Sequence, residues 1–248
     1  MIQTLVQPIL EHRARPACLA RLSFRAAIAL GPVLAIAMAL PAQTAQPFPD
    51  LDPWLAHRTN LVAWSADVQQ TRSLKSVARP LVTPGRVWFR TPNLFRWELG
   101  RPARTIAIRE PDRLVLLYPM LKRAEIYPLT DSSQGLWRSS LTLLEAGFPS
   151  SRQQLESQFD IRALEERDGQ LLVHLEPKSD LARRWVSRVD VTLGGPKLEL
   201  VATELSFADG SRLRNEFSGA SSEADPPDHF FRADIPPDYT VTQPVADP

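Results

Sequence analysis

Residues 85–99, GRVWFRTPNLFRWEL, alternate apolar and polar side chains on either side of Thr91-Pro92-Asn93. Val87 and Phe89 oppose Arg86, Trp88 and Arg90; beyond the break, Phe95, Trp97 and Leu99 oppose Leu94, Arg96 and Glu98. A period of two is the pleat of a β-strand. Proline cannot donate to a ladder, so Pro-Asn marks a turn between two strands. The pair predicts a sheet with one aromatic, apolar face and one wet face. A face built from Phe95, Trp97 and Leu99 needs a cover, which is either the chain's own core or a guest.

The same alternation recurs. Trp64, Ala66 and Val68 oppose Ser65, Asp67 and Gln69, after a short helix opening at Asp52-Pro53 with Trp54 and Leu55 on its apolar side. Residues 72–84 read as a loop or interrupted edge. Ile106 and Ile108 define one further strand, and Leu114 to Leu117, broken at Tyr118-Pro119, another; Ala124 to Leu129 follows. Around Leu141, Leu143 and Leu144 the alternation stops, Gly147 closes the segment, and Ser150 or Ser151 caps a second short helix through Ser157. Strands resume at Phe159–Glu166 and Leu171–Glu176, joined by Asp168-Gly169, then at Arg184–Leu193. Lys197–Phe207 and Ser211–Ser218 follow, joined by Asp209-Gly210; Asp-Gly is a strong hairpin signal. The tail, HFFRADIPPDYTV, reads as an extended, proline-rich strand. With 23 prolines against long helices, the expectation is a mainly β chain of α+β type. It has about ten strands in antiparallel order, forming one strongly curved sheet or barrel.

The first 45 residues stand apart. Arg13, Arg15, Arg21 and Arg25 precede an apolar run from Ala26 to Leu40, with Ala-x-Ala at Ala37-Met38-Ala39. This is the pattern of a cleaved secretory signal peptide. The run is shorter than the roughly 20 residues of a membrane span and contains Gly31-Pro32. The domain expectation is therefore a leader over 1–45 and one folded domain over 46–248. The single cysteine, Cys18, lies in the leader, so the exported part has neither a disulfide nor a thiol nucleophile. Of 29 basic and 28 acidic residues, the leader removes four Arg and one Glu, leaving a near-neutral domain. No basic stripe interleaves with aromatics, which argues against nucleic acid.

Catalytic signals are missing. His57, His174 and His229 have no ligand spacing, and the chain has no G-x-S-x-G elbow, phosphate loop or H-E-x-x-H. Glu165, Glu166 and Asp168 flank a hairpin turn, where solvated charge is ordinary. The expectation is a protein that is not an enzyme and uses neither cofactor nor metal. All six tryptophans lie in the exported part, and the few short helices cannot seal both faces of so large a sheet. One side closes over a filled core, a cavity or a partner.

These residues resemble the LolA-type periplasmic carriers of outer-membrane lipoproteins over most of the exported chain. Trp88, Arg90, Pro92-Asn93 and Phe95-Arg96-Trp97 follow the family's strand–turn–strand pattern. W-S-A-D-V-Q-Q from Trp64 is similar to its first strand, and Leu117-Tyr118-Pro119 to a later strand end. Leu175-Glu176-Pro177-Lys178 and Phe231 to Val241 are similar to its L-x-P-K and closing elements. The resemblance implies an incomplete antiparallel barrel with a lid of short helices and acyl chains held on the concave face. It implies Phe95, Trp97 and Leu99 as one wall, extended by Ile106, Ile108, Leu114, Leu116 and Tyr118. Leu141, Leu144 and Phe148 are its lid positions, hinged near Gly147 and Pro149, with Trp54 and Leu55 covering from the first helix.

The implied partners are acylated cargo, an inner-membrane ATP-driven transporter and an outer-membrane receptor, for a periplasmic monomer. One acyl chain of about 16 carbons exposed to water costs roughly 12 kcal/mol at about 0.8 kcal/mol per methylene, so such an anchor needs an escort. Thr91 stands where family members place an Arg that governs handover to the receptor, so that role is not carried over. The alternatives are a lipid-sensing or lipoprotein-sensing adaptor and a carrier of another lipid-like product.

Overall fold

The computed structural model describes residues 51–59, 61–129, 146–149, 151–223 and 226–244. The leader, Leu141 and Leu144 lie outside the described residues. Among the described residues the sheet has twelve strands. In chain order they are β1 (Ala63–Ser73), β2 (Leu81–Arg90), β3 (Leu94–Leu99), β4 (Thr105–Arg109), β5 (Arg113–Tyr118) and β6 (Arg123–Pro128), then β7 (Phe159–Arg167), β8 (Gln170–Pro177), β9 (Val186–Gly194), β10 (Glu199–Phe207), β11 (Arg212–Ser221) and β12 (Thr240–Thr242). Among the described residues three short α-helices accompany them: α1 (Asp52–Thr59), α2 (Arg152–Gln158) and α3 (Asp180–Arg183).

The strand order is β12-β6-β5-β4-β3-β2-β1-β11-β10-β9-β8-β7, so β1 joins the first and second halves by pairing with β11. The two ends, β12 and β7, are not neighbours, and the sheet is open. Its curvature brings side chains from β1 to β5 and β7 to β11 into one buried cluster. The expected curved antiparallel sheet with few helices is what the chain forms, with two refinements. The strands number twelve, and the last, β12, runs parallel to β6. The stretch expected as a loop at 72–84 is mostly hairpin arm, because β1 runs to Ser73 and β2 starts at Leu81. The strand expected from Arg184 starts at Val186, after the turn of α3.

Local chemistry sets these boundaries. Ser151 Oγ accepts from Gln154 N at 3.1 Å and caps α2; Ser179 Oγ accepts from Ala182 N at 3.3 Å and caps α3. Asp168 and Gly169 both take positive φ, 53° and 72°, as a two-residue hairpin turn requires. At Gly85, facing Leu99 across β2 and β3, a Cβ would lie 2.1 Å from the Glu98 carbonyl oxygen. Only glycine lets those two strands approach so closely.

The outer side of β2 to β6 is covered by the chain's own C-terminal strap, 226–242. Phe230 sets its ring edge-on to Trp88, 5.0 Å between centroids. Ala233, Ile235 and Tyr239 then lie over Ile108, Val115, Leu117 and Ala124. The strap ends by adding β12 to the sheet edge.

Candidate functional site: the inner face of the sheet

The pleat decides which predicted residues share the inner face. Trp97 pairs with Val87 on one side and Ala107 on the other, and Ala107 pairs with Leu116. Phe95, Trp97, Leu99, Leu114, Leu116 and Tyr118 are therefore brought together, all buried in the inner cluster. Trp54 and Leu55 reach the same cluster from α1. Ile106 and Ile108 do not belong to this wall, which corrects the expectation. Their register partners are Leu117 and Val115, and they face the outer side beneath the strap. The bulk of the two isoleucines is misleading: Ala107, between them, is the inner residue, and both faces of β4 and β5 are buried.

Phe148 is the described lid position. Its ring stacks on Phe89 at 5.3 Å and 17°, and meets Trp64 edge-on at 5.2 Å and Phe217 at 6.4 Å. Trp64 and Trp97 in turn meet Phe217 at 5.6 and 6.0 Å. Edge and offset-stacked pairs at these spacings are mutually attractive. Gly147 lies so close to β10 that a Cβ there would come within 3.0 Å of Thr203 Cγ2 and 3.1 Å of Leu200 Cδ2. The 146–149 segment is thus seated in the inner face. Arg152 of α2 bonds Asp52 of α1 at 2.6 Å, linking the two helices on the outside of the cover.

Two polar groups on this face were missed by sequence reasoning. Gln70 Nε2 donates to Asn215 Oδ1 at 3.0 Å, and Asn215 Nδ2 donates to Thr203 Oγ1 at 3.2 Å, a buried row across β1, β11 and β10. Near the β5–β6 end, the buried Glu125 carboxylate accepts from Tyr127 Oη at 2.9 Å and Tyr118 Oη at 3.2 Å, and pairs with Arg123 at 3.2 Å. Burial first, then the neighbouring carboxylate, pushes the Tyr127 phenol far above its ordinary value, so it remains a donor. The signal was the pleat itself: Gln70 follows Val68 by two, and Tyr127 follows Glu125 by two. The indole Nε1 atoms of Trp54 and Trp97 are buried, with no hydrogen-bond partner among the described residues. Burying an unpaired N–H is unfavourable, and a ligand carbonyl would relieve it.

Among the described residues, no group of three or more His, Cys, Asp or Glu side chains could hold a metal ion. No described helix is long and apolar enough to cross a membrane.

The family model described as Outer membrane lipoprotein carrier protein LolA matches residues 59–234. The chain belongs to the LolA family. An outer-membrane lipoprotein carrier protein of Chromohalobacter salexigens is 27% identical to this LolA-family chain over 107 residues, 43% of the chain and 49% of the relative. The match thus spans about half the length of that relative. An uncharacterized conserved protein from Thermus thermophilus is similar in structure with TM-score 0.47 at 10% identity, covering 78% of this chain and 96% of the other. A LolA superfamily protein from Nitrosomonas europaea is similar with TM-score 0.40 at 10% identity, covering 74% and 96%.

Proposed function

We propose that this LolA-family protein is a periplasmic carrier. It holds the acyl chains of lipoproteins, or of similarly lipidated cargo, on the inner face of its sheet and moves them from the inner to the outer membrane. The observation that carries this reading is the closure of the inner face by Phe148 in a cage of Phe89, Trp64 and Phe217. Burial of apolar surface is non-directional, so hydrocarbon can take the place of the ring in the inner face at modest cost. Cargo enters as the 146–149 segment withdraws about Gly147 and Pro149, with Trp54, Leu55, Phe95, Trp97, Leu99, Leu114, Leu116 and Tyr118 as its surroundings. Residues 1–45 direct export. An ATP-driven inner-membrane transporter loads the carrier and an outer-membrane receptor unloads it. The protein does no covalent chemistry in this role.

Arg90 does not stand in for the family's receptor-handover Arg. It faces outward, donating to the Pro226 carbonyl at 3.0 Å and pairing with Asp228 at 2.5 Å. Protein recovered from the periplasm and weighed by native mass spectrometry is expected to carry acylated cargo, and emptied protein to bind a fluorescent long-chain fatty acid. Protein that emerges empty and ignores the fatty acid overturns the reading.

A further inference from the structure

Strict antiparallel alternation puts the β1–β2, β3–β4 and β5–β6 turns at one end of the sheet. Strands lie about 4.8 Å apart, so the first and last of these tips are separated by roughly 20 Å along the sheet. The first tip exposes Val77, Leu81 and Val82, at 44, 53 and 55% of their full area. The last exposes Met120 and Leu121 at 74 and 66%, beside Val241 of β12 at 48%. These account for all but one of the large exposed apolar side chains among the described residues; the other, Val62, lies at the opposite end.

The same three tips carry Lys75 and Arg79, Arg101 and Arg104, and Lys122, with no Asp or Glu in 74–82, 100–104 or 119–122. Arg101 pairs with Asp67 at 3.2 Å and Lys122 with Asp238 at 2.9 Å, both in exposed positions. Among the described residues, no carboxylate pairs with Lys75, Arg79 or Arg104. A chain near neutrality thus concentrates unpaired cations where it also concentrates unburied aliphatic side chains.

We propose that this rim is a docking surface for an anionic phospholipid bilayer. Aliphatic tips enter the interfacial layer while lysine and arginine heads meet lipid phosphates. The pairing of the two chemistries selects a membrane surface: cations alone would fit any polyanion, and aliphatics alone any apolar partner. The inference stands on the rim and is independent of what the inner face holds.

The test is co-sedimentation of the purified protein with protein-free vesicles of phosphatidylglycerol and phosphatidylethanolamine, against phosphatidylcholine vesicles. Binding to the anionic vesicles is expected to exceed binding to phosphatidylcholine and to fall as salt rises. Lys75→Ala and Arg79→Ala are expected to weaken it about fivefold for each cation removed. Met120→Ser with Leu121→Ser is expected to weaken it at every salt concentration. All these positions are exposed, so melting temperature and fatty-acid binding in solution are expected to match the parent protein. Binding indifferent to lipid charge overturns the proposal, as do rim variants that bind as the parent does. So does a protein that captures a detergent-solubilised membrane protein but no vesicle. A protein that docks through the rim yet binds no fatty acid overturns the carrier reading and leaves this one standing.

Discussion

The two faces of β2 to β4 are covered differently: the outer cover adds directional bonds to its apolar packing, and the described inner cover, Phe148, sits among rings. On the outer side the strap is fixed by directional bonds: Arg90 to the Pro226 carbonyl and Asp228, Arg96 to the Phe230 carbonyl at 3.2 Å, and Ala233 N to the Glu110 carboxylate at 2.9 Å. Arg90 and Arg96 also lie over the rings of Phe231 and Phe230, at 5.1 and 4.8 Å. On the inner side Phe148 is held among rings. A cover of directional bonds has one geometry, whereas apolar contact can be exchanged for other apolar contact. Under the proposed function the outer face is permanent architecture and the inner one is vacated for cargo.

The strap is the more sensitive half of that contrast. Phe231 is fully buried, 1% exposed, beneath Arg90. Phe231→Ala is expected to cost about 3–5 kcal/mol in urea unfolding. Fatty-acid binding by the fraction that remains folded should be unchanged. A stability loss near zero would mean that the strap is the removable cover. Next comes Glu110, whose carboxylate also binds Arg113 at 2.8 Å and raises the pKa of that guanidinium. Glu110→Ala removes charge-assisted bonds to both Arg113 and Ala233 N, with an expected cost of about 2 kcal/mol by the same measurement.

Phe148→Ala is expected to behave differently. Each aromatic pair it loses is worth about 0.5–1.5 kcal/mol, so stability should fall by only about 1–2 kcal/mol. Affinity for a fluorescent fatty acid should rise several-fold, because a cover that competes with cargo lowers the apparent affinity by its own closed population. Weaker binding would make Phe148 a wall that grips cargo instead of a plug that yields to it.

The same contrast explains what was legible beforehand. Where one face is apolar and the other polar, as in Phe95-Arg96-Trp97-Glu98, alternation assigns each side chain correctly, and β3 buries Phe95, Trp97 and Leu99 as expected. In β4 and β5 both faces are buried, the pattern Ile106-Ala107-Ile108 has no polar partner to mark the outside, and size is a poor guide. Registration against β3 decides the matter, and register is a property of pairing between distant segments. The strap escaped for a related reason. Its prolines announced an extended chain but not the surface it would lie on, which depends on Trp88, Arg90 and Arg96 more than a hundred positions away.

The smallest expected effect concerns the exposed ion pair that starts the strap. Its hydrogen bond to Arg90, then the charge of that guanidinium, holds the Asp228 carboxyl below its ordinary value of 3.8. A carboxyl depressed by folding lends stability above its unfolded pKa and loses it as pH falls through the folded one. The strap's grip should therefore weaken below about pH 4. Asp228 is largely in solvent, where such pairs contribute little, so global melting is a blunt probe. Hydrogen exchange at the amides of 228–235, corrected for the intrinsic pH dependence, is a sharper one. Strap opening in the parent protein should increase between pH 5 and pH 3 by more than in Asp228→Asn, which should already open more readily at pH 6. Every other side chain is common to both proteins, so the difference between the two isolates the Arg90 pair. Identical profiles would assign the strap's first anchor to the Pro226 carbonyl and the stacked rings, leaving its directional hold to begin at Arg96 and Glu110.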